Sequence, residues 1–227
     1  EIKGSLQVSC NQSGSRVVYT RQVVLPRGAH KSFNLYASDD QSQSFNLRLM
    51  VADKELASSR VKVTRLPPQE MIVGVLSSNL EALNHLGAMK LPGNAQRVTV
   101  IHLVAKDIPL NSAMLESIDA LVLSDFSSHN LNPEQLASIQ SWVESGGVLV
   151  TCGGASWQKT LTSLPQSLLP VQVSGSIQVN SLTELEKWTG QQLPPGKNII
   201  LSQGQINSGT TLLASGQNPV LVASKLG

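Results

Sequence analysis

The chain is 227 residues long, 41% apolar and 14% charged, with a formal net charge of +2. That length and apolar share can bury a core in one large domain or two modest ones. With no basic block and no apolar run near the ~18 residues that span a bilayer, nucleic acid and anionic membrane surfaces are excluded as expected partners; any membrane contact is left to segments outside this one.

Charged residues fall well under the usual quarter, so Ser, Gln, Asn and Thr must build the polar surface. That balance reads as an exported protein. No charged-then-apolar leader opens the chain, and Glu1 reads as a processing boundary. The closing PVLVASKLG is a strand running into a glycine, so a longer protein, truncated inside its last domain, is expected. Cys10 and Cys152 lie far apart and neither require nor exclude an oxidising compartment.

Residues 1–66 alternate apolar and polar positions in short runs: SLQVSC, RVVYTRQVVL, KSFNLYA, SFNLRLMVA and SRVKVTRL. Each is predicted as a half-buried strand. Asn11-Gln12-Ser13-Gly14, Pro26-Arg27-Gly28, Ser38-Asp39-Asp40 and Asp53-Lys54 supply the turns. Strands at this spacing with no helical period predict a small antiparallel sandwich of immunoglobulin-like or fibronectin-like architecture, without the Cys…Trp…Cys signature of antibody domains.

Residues 67–70 form a stiff linker, since Pro67 and Pro68 can neither continue a ladder nor bend freely. From 71 to 227 the pattern changes. MIVGVLSS is a strand, Leu80, Leu83 and Leu86 mark a helix ended by Gly87, VTVIHLV is a second strand, and Pro109 to Ile118 gives a loop and short helix. Then comes the most legible unit. Ala120–Leu123 is an apolar strand, Asn132 caps a helix with Pro133 first, and Leu136, Ile139, Trp142 and Val143 share one face. Gly146-Gly147 stop that helix, and Val148–Val150 form a strand apolar enough for a buried parallel sheet. Strands alternating with helices predict an α/β domain with helices on both faces and the flavodoxin-like strand order 2-1-3-4. Further on, Gln158–Leu164 is a short helix and PVQVSGSIQV an extended excursion. Ser181 and Glu184 open a capping-box helix closed by Gly190, and NIILSQ, TTLLAS and PVLVASKL are strands at the sheet edge.

In such a sheet, ligands bind outside the carboxyl ends of the strands, where strand order reverses. Those ends carry Ser77-Ser78, His102, Ser124-Asp125 and Thr151-Cys152-Gly153-Gly154, expected to converge on one crevice. Cys152 follows a strand beside two glycines, where backbone N–H groups can form an anion nest or oxyanion hole and lower a thiol pKa. Yet all four histidines, His30, His85, His102 and His129, precede it. A thiol without a base hydrolyses amides poorly. Trp142 reads as core, and Trp157 and Trp188 as packing residues rather than sugar platforms. No metal site is expected, because His85 and His129 lack a second ligand at helical spacing. Asp107 and Asp125 have no carboxylate partner for glycoside chemistry. There is no P-loop and no G-x-G-x-x-G, so no cofactor is expected.

VLVTCGG resembles the G-x-C-x-G nucleophile elbow of the class I glutamine amidotransferase-like superfamily, keeping Cys152 and Gly154 but with Val150 at the first glycine. The superfamily's catalytic His-x-Glu is missing after Cys152. SWVESGGVLVTCGGASW, with Trp142 and Trp157 at matching places, more closely resembles non-catalytic members found in bacterial envelope proteins, where a β-sandwich precedes this domain. The resemblance implies a non-catalytic, extracytoplasmic module of a membrane-anchored protein, contacting a protein or a glycan through Ser77, Ser124, Asp125, Cys152, Gly153, Gly154 and Trp157. A cytoplasmic location stays open. Two alternatives stand beside it: a cysteine-dependent amidase or amidotransferase using Cys152, and a carbohydrate-binding relative of trehalose-utilisation-like proteins.

Overall fold

The structure, a computed structural model, describes residues 1–12, 14–37, 43–67, 69–89, 97–192 and 198–226. The chain divides into two compact units, Glu1–Pro68 and Gln69–Gly227. Ser13 of the first predicted turn, the Ser38-Asp39-Asp40 turn and the linker's Pro68 lie outside the described residues.

Period-two alternation builds the first unit. Strands β1 (Ile2–Gln12), β2 (Ser15–Leu25), β3 (Ser44–Val51) and β4 (Lys54–Lys62) form one antiparallel sheet in the order β2-β1-β3-β4. The register puts Leu6, Val8 and Cys10 on one face with Val23, Phe45, Leu47 and Val61, and Ser5, Thr20, Gln22 and Arg48 on the other. Val8, Cys10 and Val23 are buried. The β3–β4 turn sits at Ala52 and Asp53, both at positive φ as a tight hairpin requires, so β4 starts earlier than the predicted SRVKVTRL.

KSFNLYA is not a strand. Both edges of β1 are taken by β2 and β3, so the chain leaving β2 must cross β1 without a ladder. Side chains hold the crossing. Arg21 Nη1 donates to Asn34 O at 2.8 Å, Lys31 Nζ donates to Val24 O at 3.1 Å, and the Arg21 guanidinium lies 5.5 Å over the Phe33 ring. The described residues of this unit thus form one sheet with a crossing segment, where two sheets were expected.

In the second unit β5 (Glu70–Ser77), β6 (Arg97–Leu103), β7 (Ala120–Ser124) and β8 (Val148–Thr151) are parallel, in the order β6-β5-β7-β8. That is the predicted 2-1-3-4 order. Helix α1 (Pro133–Glu144) follows its sequence signals closely. Asn132 Oδ1 accepts from Gln135 N at 2.8 Å while Gln135 Oε1 accepts from Asn132 N at 3.0 Å, a reciprocal cap. The Gln135 amide also donates to Ala105 O and Ile108 O, tying the helix to the loop after β6. Gly146 leaves the helix at φ 104°. Gly147 lies against the Trp142 indole, where a Cβ would overlap the ring.

The two faces of this sheet differ. Leu76, Leu121 and Leu123 pack under Ile139 and Trp142 of α1 and Leu161 of α2 (Trp157–Leu161). Among the described residues, Val73, Val75, Val98, Ala120 and Val122 are packed by the partly buried Met71, Ala82, Leu83, Leu86, Val100 and Cys152. The expected helix here is a 3-10 turn, Asn84–Ala88. Asn79 Oδ1 accepts from Glu81 N, and Leu83 takes φ 64°, so the chain turns before a helix can nucleate.

β8 is an edge strand, with Val148 52% and Val150 40% exposed, not the buried strand its composition predicts. The later strands do not extend the sheet. β9 (Val171–Val179) pairs with β10 (Ile199–Ile206), and β11 (Thr210–Ser215) with β12 (Asn218–Ala223), as separate antiparallel ribbons. Between β9 and β10, α3 (Thr183–Thr189) starts at Leu182 with no side-chain cap, so Ser181 and Glu184 make no capping box; Glu184 pairs with Lys187 instead.

Removing the α1 cap by Asn132→Ala should cost about 1 kcal/mol. Gly147→Ala, which drives a methyl into the indole, should cost about 1–3 kcal/mol. Urea unfolding of both variants measures this, and a Gly147→Ala protein as stable as the wild type would contradict the packing described.

Candidate functional site

Three loops leave the carboxyl ends of β6, β5 and β7 around a cleft of about 480 Å³. It is lined by Ser77 and Ser78 after β5, by Leu103 to Lys106 after β6, by Asp125 to Ser127 after β7, and by Asn130 and Lys159. The chain passes from β5 to β6 on one side and returns to β7 on the other, so the cleft stands at the point where strand order reverses.

Asp125 is its electrostatic centre. The residue takes a left-handed backbone, φ 50°, which Asp tolerates better than most side chains. Its carboxylate accepts from the Ser78 hydroxyl and lies 3.0 Å from Lys159 Nζ, while Ser78 N donates to Asp125 O at 3.3 Å. Hydrogen bonds from Ser78, then Ser156, then Lys159 hold the carboxyl down to about 2. The pair is half exposed, so its value lies in geometry more than in stability. A carboxylate so acidic is a weak general base at neutral pH. The cleft presents hydroxyl, amide and ammonium donors around one fixed anion, which is chemistry for holding a polar group.

The expected crevice is divided. Ser77 and Asp125 line the cleft, but Ser124, Cys152, Gly153, Gly154 and Trp157 do not. Val122 and Cys152 belong to the face opposite α1, and Ser124, two residues after Val122, bonds the Cys152 thiol there, while Ser77, its register partner on β5, reaches the cleft. Burial pushes that thiol above the ordinary range, only partly offset by the Ser124 hydrogen bond. Cys152 N donates to Leu123 O at 2.8 Å, continuing the β7–β8 ladder.

The glycines beside it are not an open oxyanion hole. Gly154 N donates to Ser202 Oγ of β10 at 2.7 Å, and a Cβ on Gly153 would overlap that same hydroxyl. The glycines seat a ribbon. His102, on β6, contacts Asn84 Oδ1 at 2.7 Å, and β6 lies three strand spacings, about 14 Å, from β8. His129 contacts Ser163 Oγ at 2.8 Å. Trp157 is half-buried against the α1-side core, whereas Trp188, expected to pack, is 73% exposed.

Lys159, Ser156 and Ser202 escaped the sequence reading. A Ser-x-x-Lys spacing at the start of α2, just after the Gly153-Gly154 exit from β8, is the signal that could have found the first two; nothing local points to Ser202. Among the described residues, no group of three or more His, Cys, Asp or Glu side chains is placed to hold a metal ion.

The Asp125 carboxyl should titrate near pH 2, which carbon-13 NMR reads directly. Its folded value lies below the unfolded one, so its contribution to stability is present above pH 4 and is lost as pH falls towards 2. Ser78→Ala should raise the midpoint most and Lys159→Met less. A wild-type midpoint near the ordinary 3.8 would remove the clamp.

A family described only as a domain of unknown function, DUF8726, matches residues 1–64. No curated protein and no solved structure matches the chain.

Proposed function

We propose that this chain is a non-catalytic binding module from the extracytoplasmic part of a bacterial membrane-anchored protein. In this reading a small β-module precedes a flavodoxin-like unit of the class I glutamine amidotransferase-like type, and the partner is a protein or a glycan. The observation that carries its non-catalytic part is the state of Cys152. Amide hydrolysis by a thiol needs a thiolate, a base to make it and free donors for the oxyanion. Here burial favours the neutral thiol, its partner is the Ser124 hydroxyl, and the amide of Gly154 is committed to Ser202.

The strand order and the cleft at its reversal point support the flavodoxin-like assignment, as does the α1 stretch with its two glycine pairs. The cleft offers Ser127, Asn130, Lys106 and the two ammonium hydrogens that Lys159 keeps beside Asp125 as donors to polar groups of a partner. No helix among the described residues is long and apolar enough to cross a membrane, so anchoring in this reading falls to other segments.

Alkylation of Cys152 by iodoacetamide across pH tests the reading. The rate should stay low through neutrality and rise only above the ordinary thiol value of ~8.5. Rapid alkylation on a plateau already reached at pH 6–7, together with ammonia release from glutamine that Cys152→Ser abolishes, would establish an amidase instead.

A further inference from the structure

The first unit carries a cavity of its own, apart from the cleft of the second. Its sheet has one apolar face, and among the described residues of this unit no second sheet covers it. The 31–37 segment crosses that face and leaves a groove of about 420 Å³, within the ~300–1,000 Å³ of small-molecule sites. Leu6, Val8, Phe45, Leu47 and Val61 form its floor and far wall, and Phe33, Leu35 and Ala37 its near wall.

Charge is confined to one rim. The Lys31 side chain lines the groove and is exposed, and two of its three ammonium hydrogens remain after the bond to Val24 O. The Arg21 guanidinium lies over Phe33, which lines the same groove. No carboxylate lines the groove among the described residues. Glu55 stands with Arg48, 3.5 Å apart, on the opposite face of the sheet. Residues 1–68 hold ten Lys and Arg against five Asp and Glu, so the field around the unit is positive.

From this geometry we propose that the groove binds a free single-chain amphiphile, its hydrocarbon tail along Leu6, Leu47 and Val61 and its anionic head at Lys31 and Arg21. A neutral chain would gain only the apolar contacts, and a short polar anion only the rim. An extended peptide is a poorer occupant. Its backbone would bring donors and acceptors into a groove whose walls are mostly apolar, with no strand edge facing in to satisfy them.

Decanoate and decanol, both kept monomeric, test this with the full chain, read by methyl NMR shifts and calorimetry. Decanoate should bind saturably, shift the methyls of Leu6, Leu35, Leu47 and Val61, and bind roughly threefold to fivefold tighter than decanol, the range of an exposed ion pair. Lys31→Met should narrow the gap between decanoate and decanol and leave decanol unchanged. Val61→Glu, on an edge strand where Val61 is already 46% exposed, should abolish both with an unchanged melting temperature. If that variant unfolds, the wild-type shift map and Lys31→Met still decide. Saturable binding of neither probe, indifference of decanoate to Lys31→Met, or sedimentation with phosphatidylglycerol vesicles without binding of monomeric decanoate would each overturn the proposal.

Discussion

The parallel sheet of the second unit rests on the pairing of β5 with β7, and carboxylates clamp that pairing at both ends. At the entry, Asp119 Oδ2 accepts from Ile72 N at 2.6 Å while Asp119 N donates to Ile72 O at 2.9 Å. At the exit, Asp125 takes the Ser78 hydroxyl and its carbonyl takes Ser78 N. Between these clamps Gly74, Val75 and Leu76 lie opposite Leu121, Val122 and Leu123. These are the two central strands, so a slip of one residue would turn Leu121 and Leu123 away from α1 and empty the main core. The cleft follows from the same clamp, because Asp125 can reach Ser78 and Lys159 only where strands diverge beyond their last ladder bond.

How far the sequence foretold this depends on the distance along the chain between interacting groups. The β7–α1–β8 unit is written locally. Asn132, Pro133 and Gln135 lie within one turn, and Trp142 sits five residues from the glycine it requires. The 2-1-3-4 order also follows from local alternation of strand and helix with short connections. What failed was long-range. Whether β8 stands at an edge depends on what the chain after residue 157 does, and β9 to β12 pair among themselves rather than joining the sheet. In the first unit, KSFNLYA has the alternation of a strand, but both sides of β1 were already occupied. Periodicity reads burial on one side; it does not read whether a partner edge is vacant.

The two glycine pairs make the same point within nine residues of sequence. Gly146-Gly147 and Gly153-Gly154 look alike, and each includes a glycine that admits an atom no Cβ would allow. For Gly147 that atom belongs to the Trp142 indole, one helix turn away. For Gly153 it is the Ser202 hydroxyl, from a ribbon that forms much later in the chain. An elbow-like spelling therefore coincides with a packing seat. The donors that would make an anion nest are present, but the protein has spent one of them on itself. The candidate site accordingly moves from the thiol to Asp125, across the sheet and onto the other face.

Charge separates the units as sharply as structure does. The net +2 of the whole chain is the sum of +5 over residues 1–68 and −3 over residues 69–227, so the overall figure describes neither unit. At physiological salt, exposed charges more than about 8 Å apart are largely screened, and each unit presents its own field to whatever approaches it. The first unit pairs that positive field with an apolar groove and no strong hydrogen-bonding interior. The second is acidic overall but concentrates Lys106 and Lys159 at its cleft, beside a carboxylate whose acceptors are already engaged. Both units thus turn cations towards their cavities, one over hydrocarbon and one over hydroxyls. That common arrangement is reached in two folds with opposite net charge.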